Sequence, residues 1–186
     1  MKHSVRLAVL AAVSALTVQP VAAQAQAQNC LAEAEVSAIA IYAMPGVVQG
    51  VQMRCGPQLA SGGFIARSAA EFGARYARLQ PTVWPRAKSG LLKIVASKSS
   101  AASASRTGNF DSLQMLSSLP DSAVRPLVDA MIVQQITPEI ELKQCGRIEL
   151  VMQALSQVDP EVAGTLLGLV AGLVKLDEPA ICEART

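Results

Sequence analysis

Cysteines, one histidine, carboxylates and serine–lysine neighbours could carry chemistry in this sequence, and their spacing decides how. The four cysteines, Cys30, Cys55, Cys145 and Cys182, are widely separated. A zinc site or a thiol exchange centre uses cysteines two to four residues apart, or cysteines joined by histidines, so the spacing favours structural disulfides. The single histidine, His3, lies in the first residues, and Ser-His-Asp or Cys-His catalysis has no base in the rest of the chain. Carboxylate pairs could hydrolyse glycosides. Glu33 and Glu35, two residues apart on a helix, point in different directions, and Glu71 is flanked four residues either side by Arg67 and Arg75, which are ordinary ion-pair partners. Serine and lysine neighbours, Lys88 with Ser89 and Ser97 with Lys98, cannot face each other on a helix, and no S-x-x-K, G-x-S-x-G or phosphate-loop pattern occurs. No catalytic set, metal site or cofactor is therefore expected.

The N-terminus explains the compartment in which those cysteines work. Lys2, His3 and Arg6 form a basic start, Leu7 to Val18 an apolar stretch, and Val21-Ala22-Ala23 a small-residue cleavage site. The apolar stretch spans about a dozen residues, short of the roughly 20 that a bilayer-spanning helix needs. It reads as a signal peptide over residues 1–23, with cleavage as late as Ala27 because Ala23, Ala25 and Ala27 repeat the pattern. A periplasmic or secreted mature protein, with no transmembrane anchor left after cleavage, is the consequence, and disulfides are the expected state of its cysteines.

Removing Lys2 and Arg6 from sixteen basic residues leaves fourteen against fourteen acids, a mature net charge of zero. Overall charge thus gives no reason to expect nucleic acid as a partner. Its distribution is uneven: between Arg54 and Arg106 nine basic residues face one acid, whereas Thr107 to Thr186 holds five basic and eleven acidic residues. One half can dock on the other. Alternatively Arg67, Arg75, Arg78, Arg86, Lys88 and Lys93 form a face for an acidic protein or an anionic envelope component, with Tyr76 and Trp84 among them.

The elements that hold these residues are helices. The hydrophobic fraction is 51% with only 3% aromatic residues, and no stretch shows the alternation of a sheet. Periodicity predicts a helix from Cys30 to Ala43 stopped by Pro45-Gly46, a short one from Val47 to Cys55, a longer one over Ser61–Leu79 ended by Pro81, and another opened by Pro85. The Ser/Ala-rich stretch 97–109 reads as a flexible connection. Beyond it, short helices are expected over 109–119 and 122–135. Thr137-Pro138-Glu139 and Asp159-Pro160-Glu161 each combine a capping residue, a first-turn proline and an acid, predicting helices at 139–157 and 161–176.

The expected fold is all-α, a single domain over residues 24–186 with about six to eight helices built as two halves of paired helices. A disulfide is expected to staple each half, Cys30 with Cys55 across a helical hairpin and Cys145 with Cys182 near one end of the last pair. Gly164, Gly168 and Gly172 recur every four residues within an apolar run, and mark a close helix crossing. The function expected from these features is that of an exported, non-enzymatic helical binding or structural protein. The alternatives are a carboxylate-dependent hydrolase of envelope polymers and a carrier of lipid or another apolar ligand.

Overall fold

In a computed structural model, residues 30–102, 118–173 and 180–182 are described. They form seven helices: α1 Glu33–Cys55, α2 Phe64–Arg67, α3 Ala69–Ala77, α4 Gln80–Ala102, α5 Asp121–Glu139, α6 Cys145–Leu155 and α7 Pro160–Leu173. Short 3-10 turns occupy Gly56–Gln58 and Leu142–Gln144. Among the described residues, extended pairing is limited to one parallel bridge between Leu31 and Ile181. The fold is all-α.

Helix α1 is the hub, in contact with α3, α4, α5 and α7. The segment Glu33–Gln58 has the length and hydropathy of a bilayer-crossing helix, and here it serves as the shared spine of a bundle. One packed cluster joins Ile41, Val48, Val51 and Cys55 of α1 to Ile65, Phe72, Tyr76, Cys145 and Met152. A second gathers Ala38 and Tyr42 with Trp84, Ala87 and Val124. Burial of these side chains, about 1.5 to 3 kcal/mol for each large one, fixes α1 from two sides.

This burial explains why proline-based boundaries fail here. Pro45 lies inside α1 and Gly46 does not stop it. An interior proline costs about 3 kcal/mol, which packing on both sides of the hub exceeds. Gly46 has a separate role: a Cβ there would lie 2.8 Å from Ile132 Cγ2, so the missing side chain admits α5. The expected separate helix at Val47–Cys55 is thus the second half of α1. Pro81 falls in the first turn of α4, where backbone N–H groups lack intrahelical partners and a proline removes little, whereas Pro85 lies inside a helix that already begins at Gln80 and so opens none.

The region Ser61–Leu79 divides into α2 and α3 at Ser68, whose φ of −127° and ψ of −11° leave helical geometry. The expected helix start at Thr137-Pro138-Glu139 is instead the end of α5. Thr137 Oγ1 donates back to the Val133 carbonyl at 2.7 Å, an intrahelical bond, and so caps no new helix. The next helix begins only at Cys145. Asp159-Pro160-Glu161 does open a helix: the Glu161 N–H donates to Asp159 Oδ1 at 2.9 Å, and α7 starts at Pro160. The Ser/Ala-rich stretch is helical as far as Ala102. Residues 103–109 of that expected connection, residues 109–117 of the expected short helix and residues 174–176 of the last one lie outside the described residues, as does the signal segment.

The disulfides are Cys30–Cys182 and Cys55–Cys145, not the pairing expected from hairpin geometry. With α1 continuous through Pro45, Cys30 and Cys55 stand at opposite ends of one long rod, and no turn brings them level. Cys55 is instead packed in the first cluster beside Cys145, both almost fully buried. At the other end the bridge between Leu31 and Ile181 aligns the termini: Leu31 N–H donates to the Ala180 carbonyl at 2.8 Å and Cys182 N–H to the Leu31 carbonyl at 2.9 Å. Each disulfide therefore joins the first half to the second. These two bonds fit an oxidising, extracytoplasmic environment.

Candidate functional site

The bundle is open along one side of α1. There α4 and α7 diverge, leaving a solvent-accessible groove of about 900 Å³. Its floor is Ala34, Ala38 and Ile41 of α1; Val83, Pro85, Arg86 and Ser89 of α4 form one wall, and Glu161, Thr165 and Leu169 of α7 the other. Glu33 and Glu35 lie at the α1 end. Small floor residues set the depth, because alanine at 34 and 38 leaves the space a larger side chain would fill.

Glu35 is the most constrained group of this groove. It is buried, with its residue 7% exposed, yet charged neighbours and donors surround it. Ser89 Oγ donates to Oε1 at 2.7 Å, Lys93 Nζ to Oε2 at 2.7 Å, and the Ala32 N–H to Oε2 at 2.9 Å. Burial works to raise the carboxyl pKa, but the bonds from Lys93, Ala32 and Ser89 together outweigh it and hold the group below its ordinary value. Both oxygens are committed to partners. Glu35 is accordingly a fixed anion clipping α1 to α4, in the wrong protonation state to give up a proton as a general acid.

The geometry that places it is local. Glu35 is the third residue of α1 and reaches back to the N–H before the helix, satisfying a donor that the helix start leaves free. Ser89 and Lys93, four residues apart on α4, share one face and reach the same carboxylate. An acid three residues after a helix boundary, opposite a Ser-x-x-x-Lys repeat, is the signal that sequence reading passed over; Thr82, Thr165 and Leu169 carry no such signal, since only tertiary packing assembles them.

The six residues of the expected basic, anion-binding face divide into two groups. Lys93 is engaged with Glu35 and with the Cys30 carbonyl at 3.0 Å, Lys88 with Asp121 at 2.9 Å, and Arg75 donates to the carbonyls of Ser156 and Val158. These three join parts of the fold. Arg67, Arg78 and Arg86 are exposed, and Arg86 lines the groove. Arg75 turns towards the loop between α6 and α7, so its principal partners are carbonyls rather than Glu71. Trp84 and Tyr76 are core residues, each 1% exposed. Trp84 packs on Tyr42 with ring centroids 4.8 Å apart and carries the Arg125 guanidinium 5.2 Å above its ring.

The four-spaced glycines lie where α7 meets α1. A Cβ on Gly164 would stand 2.6 Å from Ile41 Cδ1, and one on Gly168 would stand 2.6 Å from the Glu33 carbonyl oxygen, a backbone atom that cannot swing away. Gly172 faces Glu33 Oε1 at 2.7 Å from the same built position. The crossing is what sets the far wall of the groove. Among the described residues no group of three or more His, Cys, Asp or Glu side chains is placed to hold a metal ion.

Comparison with protein-family models, with characterised proteins and with solved structures yields no significant match to this chain.

Proposed function

We propose that this is an exported, non-enzymatic binding protein of the periplasmic or extracellular space, whose ligand is a polypeptide segment laid in the groove between α1, α4 and α7. The observation that carries this reading is the groove's lining. An apolar floor of Ala34, Ala38 and Ile41 runs between walls of mixed character, Arg86 and Ser89 beside Val83 and Pro85 on one side and Glu161 and Thr165 beside Leu169 on the other. Amphipathic segments are recognised in this manner, with apolar side chains down and charges paired along the rim. A groove open to solvent suits an extended or helical segment better than a free lipid, which needs most of its surface enclosed.

The reading as a carboxylate hydrolase draws less support. Three carboxylates border the groove, but Glu35 is locked as an anion by three donors, so the needed protonated partner is missing from the best-positioned candidate. An acidic partner remains compatible with the exposed Arg67, Arg78 and Arg86 if its acid meets Arg86 at the groove.

The test is a photo-crosslinking residue at Ala34, an exposed floor position, with Gln58 as an exposed control. Capture of a discrete polypeptide from envelope extract at position 34 and not at 58, abolished by Arg86→Glu, supports the reading. Equal labelling at both positions, or labelling indifferent to Arg86, refutes it.

A further inference from the structure

The face of α7 turned away from α1 is unusually apolar for a surface. Val162, Leu166, Leu169, Val170 and Leu173 are 51%, 53%, 48%, 53% and 84% exposed. Soluble surfaces scatter such residues singly, whereas these five follow one stripe along one helix. Their spacing is informative: 162, 166, 169 and 173 step by four, three and four, the a/d rhythm of a helix that packs against another helix. No charged residue interrupts the sequence from Val162 to Leu173.

We propose that two copies of this chain associate through this stripe, α7 against the partner's α7, antiparallel about a two-fold axis near residues 167 and 168. A two-fold contact places the same patch on both sides and so requires a self-complementary surface, which an uncharged a/d seam provides. The five side chains expose roughly 500 Å², so pairing removes at most roughly 1,000 Å² from these residues on the two copies, about the lower limit for a specific interface. The antiparallel sense is set by charge. Asp159 and Glu161 are exposed at the N-terminal end of α7, and a parallel pair would set four acids side by side, whereas the antiparallel pair separates them by the length of the helix and opposes the helix dipoles favourably. In that register position 162 faces 173 and position 166 faces 169.

A bilayer fits the stripe less well. The stripe itself carries neither the basic residues nor the tryptophan or tyrosine by which interfacial helices anchor, and the charges that flank it in sequence, Asp159, Glu161, Asp177 and Glu178 against the one Lys175, are mostly acids that anionic lipid repels. The association is separate from the groove reading, although Leu169 borders both surfaces, and the substitutions that test it therefore avoid groove residues.

Sedimentation equilibrium of the disulfide-intact chain at about 0.1 mM should give a dimer, with Leu166→Glu raising the dissociation constant roughly hundredfold or more. Leu150→Glu on α6, an apolar position still more exposed than Leu166, should leave it unchanged. Because Leu166 is exposed, the thermal transition of Leu166→Glu diluted to the monomer range should match the parent's, separating loss of association from loss of fold. Register is tested by mixing: Val162→Glu and Leu173→Lys should each weaken self-association, and the two together should form a heterodimer. A monomer at that concentration, a dimer indifferent to Leu166→Glu, or co-sedimentation with phosphatidylcholine/phosphatidylglycerol vesicles that Leu166→Glu abolishes would overturn the proposal. Failure of the groove crosslinking would not bear on it.

Discussion

Lys93 Nζ lies 2.7 Å from Glu35 Oε2. The same ammonium also donates to the Cys30 carbonyl, so one side chain of α4 holds the start of α1 and the residue that carries a disulfide. With side chains 22% and 10% exposed, the pair is largely withdrawn from water. Lys93→Met should therefore leave a buried carboxylate without its counter-charge, costing about 2 to 4 kcal/mol in urea unfolding. Replacing both, Lys93→Met with Glu35→Leu, should recover much of that loss, because no uncompensated charge remains. A single substitution that costs less than the double would contradict this account.

The pair also sets an acid limit. Glu35 has a folded pKa below its unfolded value, so its contribution to stability is complete above the ordinary glutamate range and is lost as pH falls through the folded value. Stability followed from pH 7 down to pH 2 should fall below about pH 4.3. In Lys93→Met the chief lowering influence on Glu35 is gone and burial opposes ionisation, so the acid-dependent loss should shrink. An unchanged slope would mean that other carboxylates dominate the transition.

At alkaline pH the tyrosines report the core. The chain has two, Tyr42 and Tyr76. Burial raises the pKa of both; the Asp129 hydrogen bond and charge raise Tyr42 further against the opposing Arg125, while at Tyr76 Arg75 opposes and Asp159 reinforces. Native protein should show little tyrosinate absorbance near pH 10, the ordinary value. Unfolding releases protons from both groups at that pH, so stability declines as pH rises through the unfolded value, and tyrosinate should appear together with loss of helix. Tyrosinate absorbance in a fully helical sample would show that the rings are accessible.

The two disulfides make a separate prediction. Peptide mapping without reduction should recover Cys30 joined to Cys182 and Cys55 joined to Cys145. On the loop-entropy account a closure of this length contributes about 4 to 5 kcal/mol. Cys55→Ala with Cys145→Ala should lower stability by about that amount or somewhat more, since it also hollows the first cluster. Recovery of a Cys30 to Cys55 peptide from native protein would contradict the fold.

Two glycines should respond in opposite directions. Gly168→Ala drives a methyl group against the Glu33 carbonyl and should destabilise by about 1 to 3 kcal/mol. Gly146, in the first turn of α6, has nothing within 4 Å of a built Cβ. Gly146→Ala should stabilise by about 0.4 to 1 kcal/mol. Equal effects at both would mean that α7 does not approach α1 closely.

What the sequence made legible was helix identity and the positions that face inward. Phe72, Tyr76, Ile65 and Met152 carry periodicity that burial alone enforces, and Asp159 reads as a cap because its carboxylate acts on a neighbour two residues away. What it concealed depends on distant partners. Pro45 and Thr137 are local signals overridden by tertiary packing and by a bond to Val133, and the disulfide pairing went astray with Pro45 because a hairpin was inferred where a straight rod stands. The groove was hidden for a related reason. Its walls come from residues 83–89 and 161–169, far apart in the chain, and no local pattern records that they face each other across α1.

The disulfides are nested, Cys55–Cys145 lying inside the loop closed by Cys30–Cys182. One backbone cut anywhere between residues 55 and 145 therefore yields two chains still joined by two covalent links. Such a cut would free neither half from the other, and the nicked molecule would stay one covalent species until reduced. Covalently the molecule is a closed ring crossed by one internal tie. Its integrity under proteolytic attack then depends on redox conditions more than on an unbroken backbone.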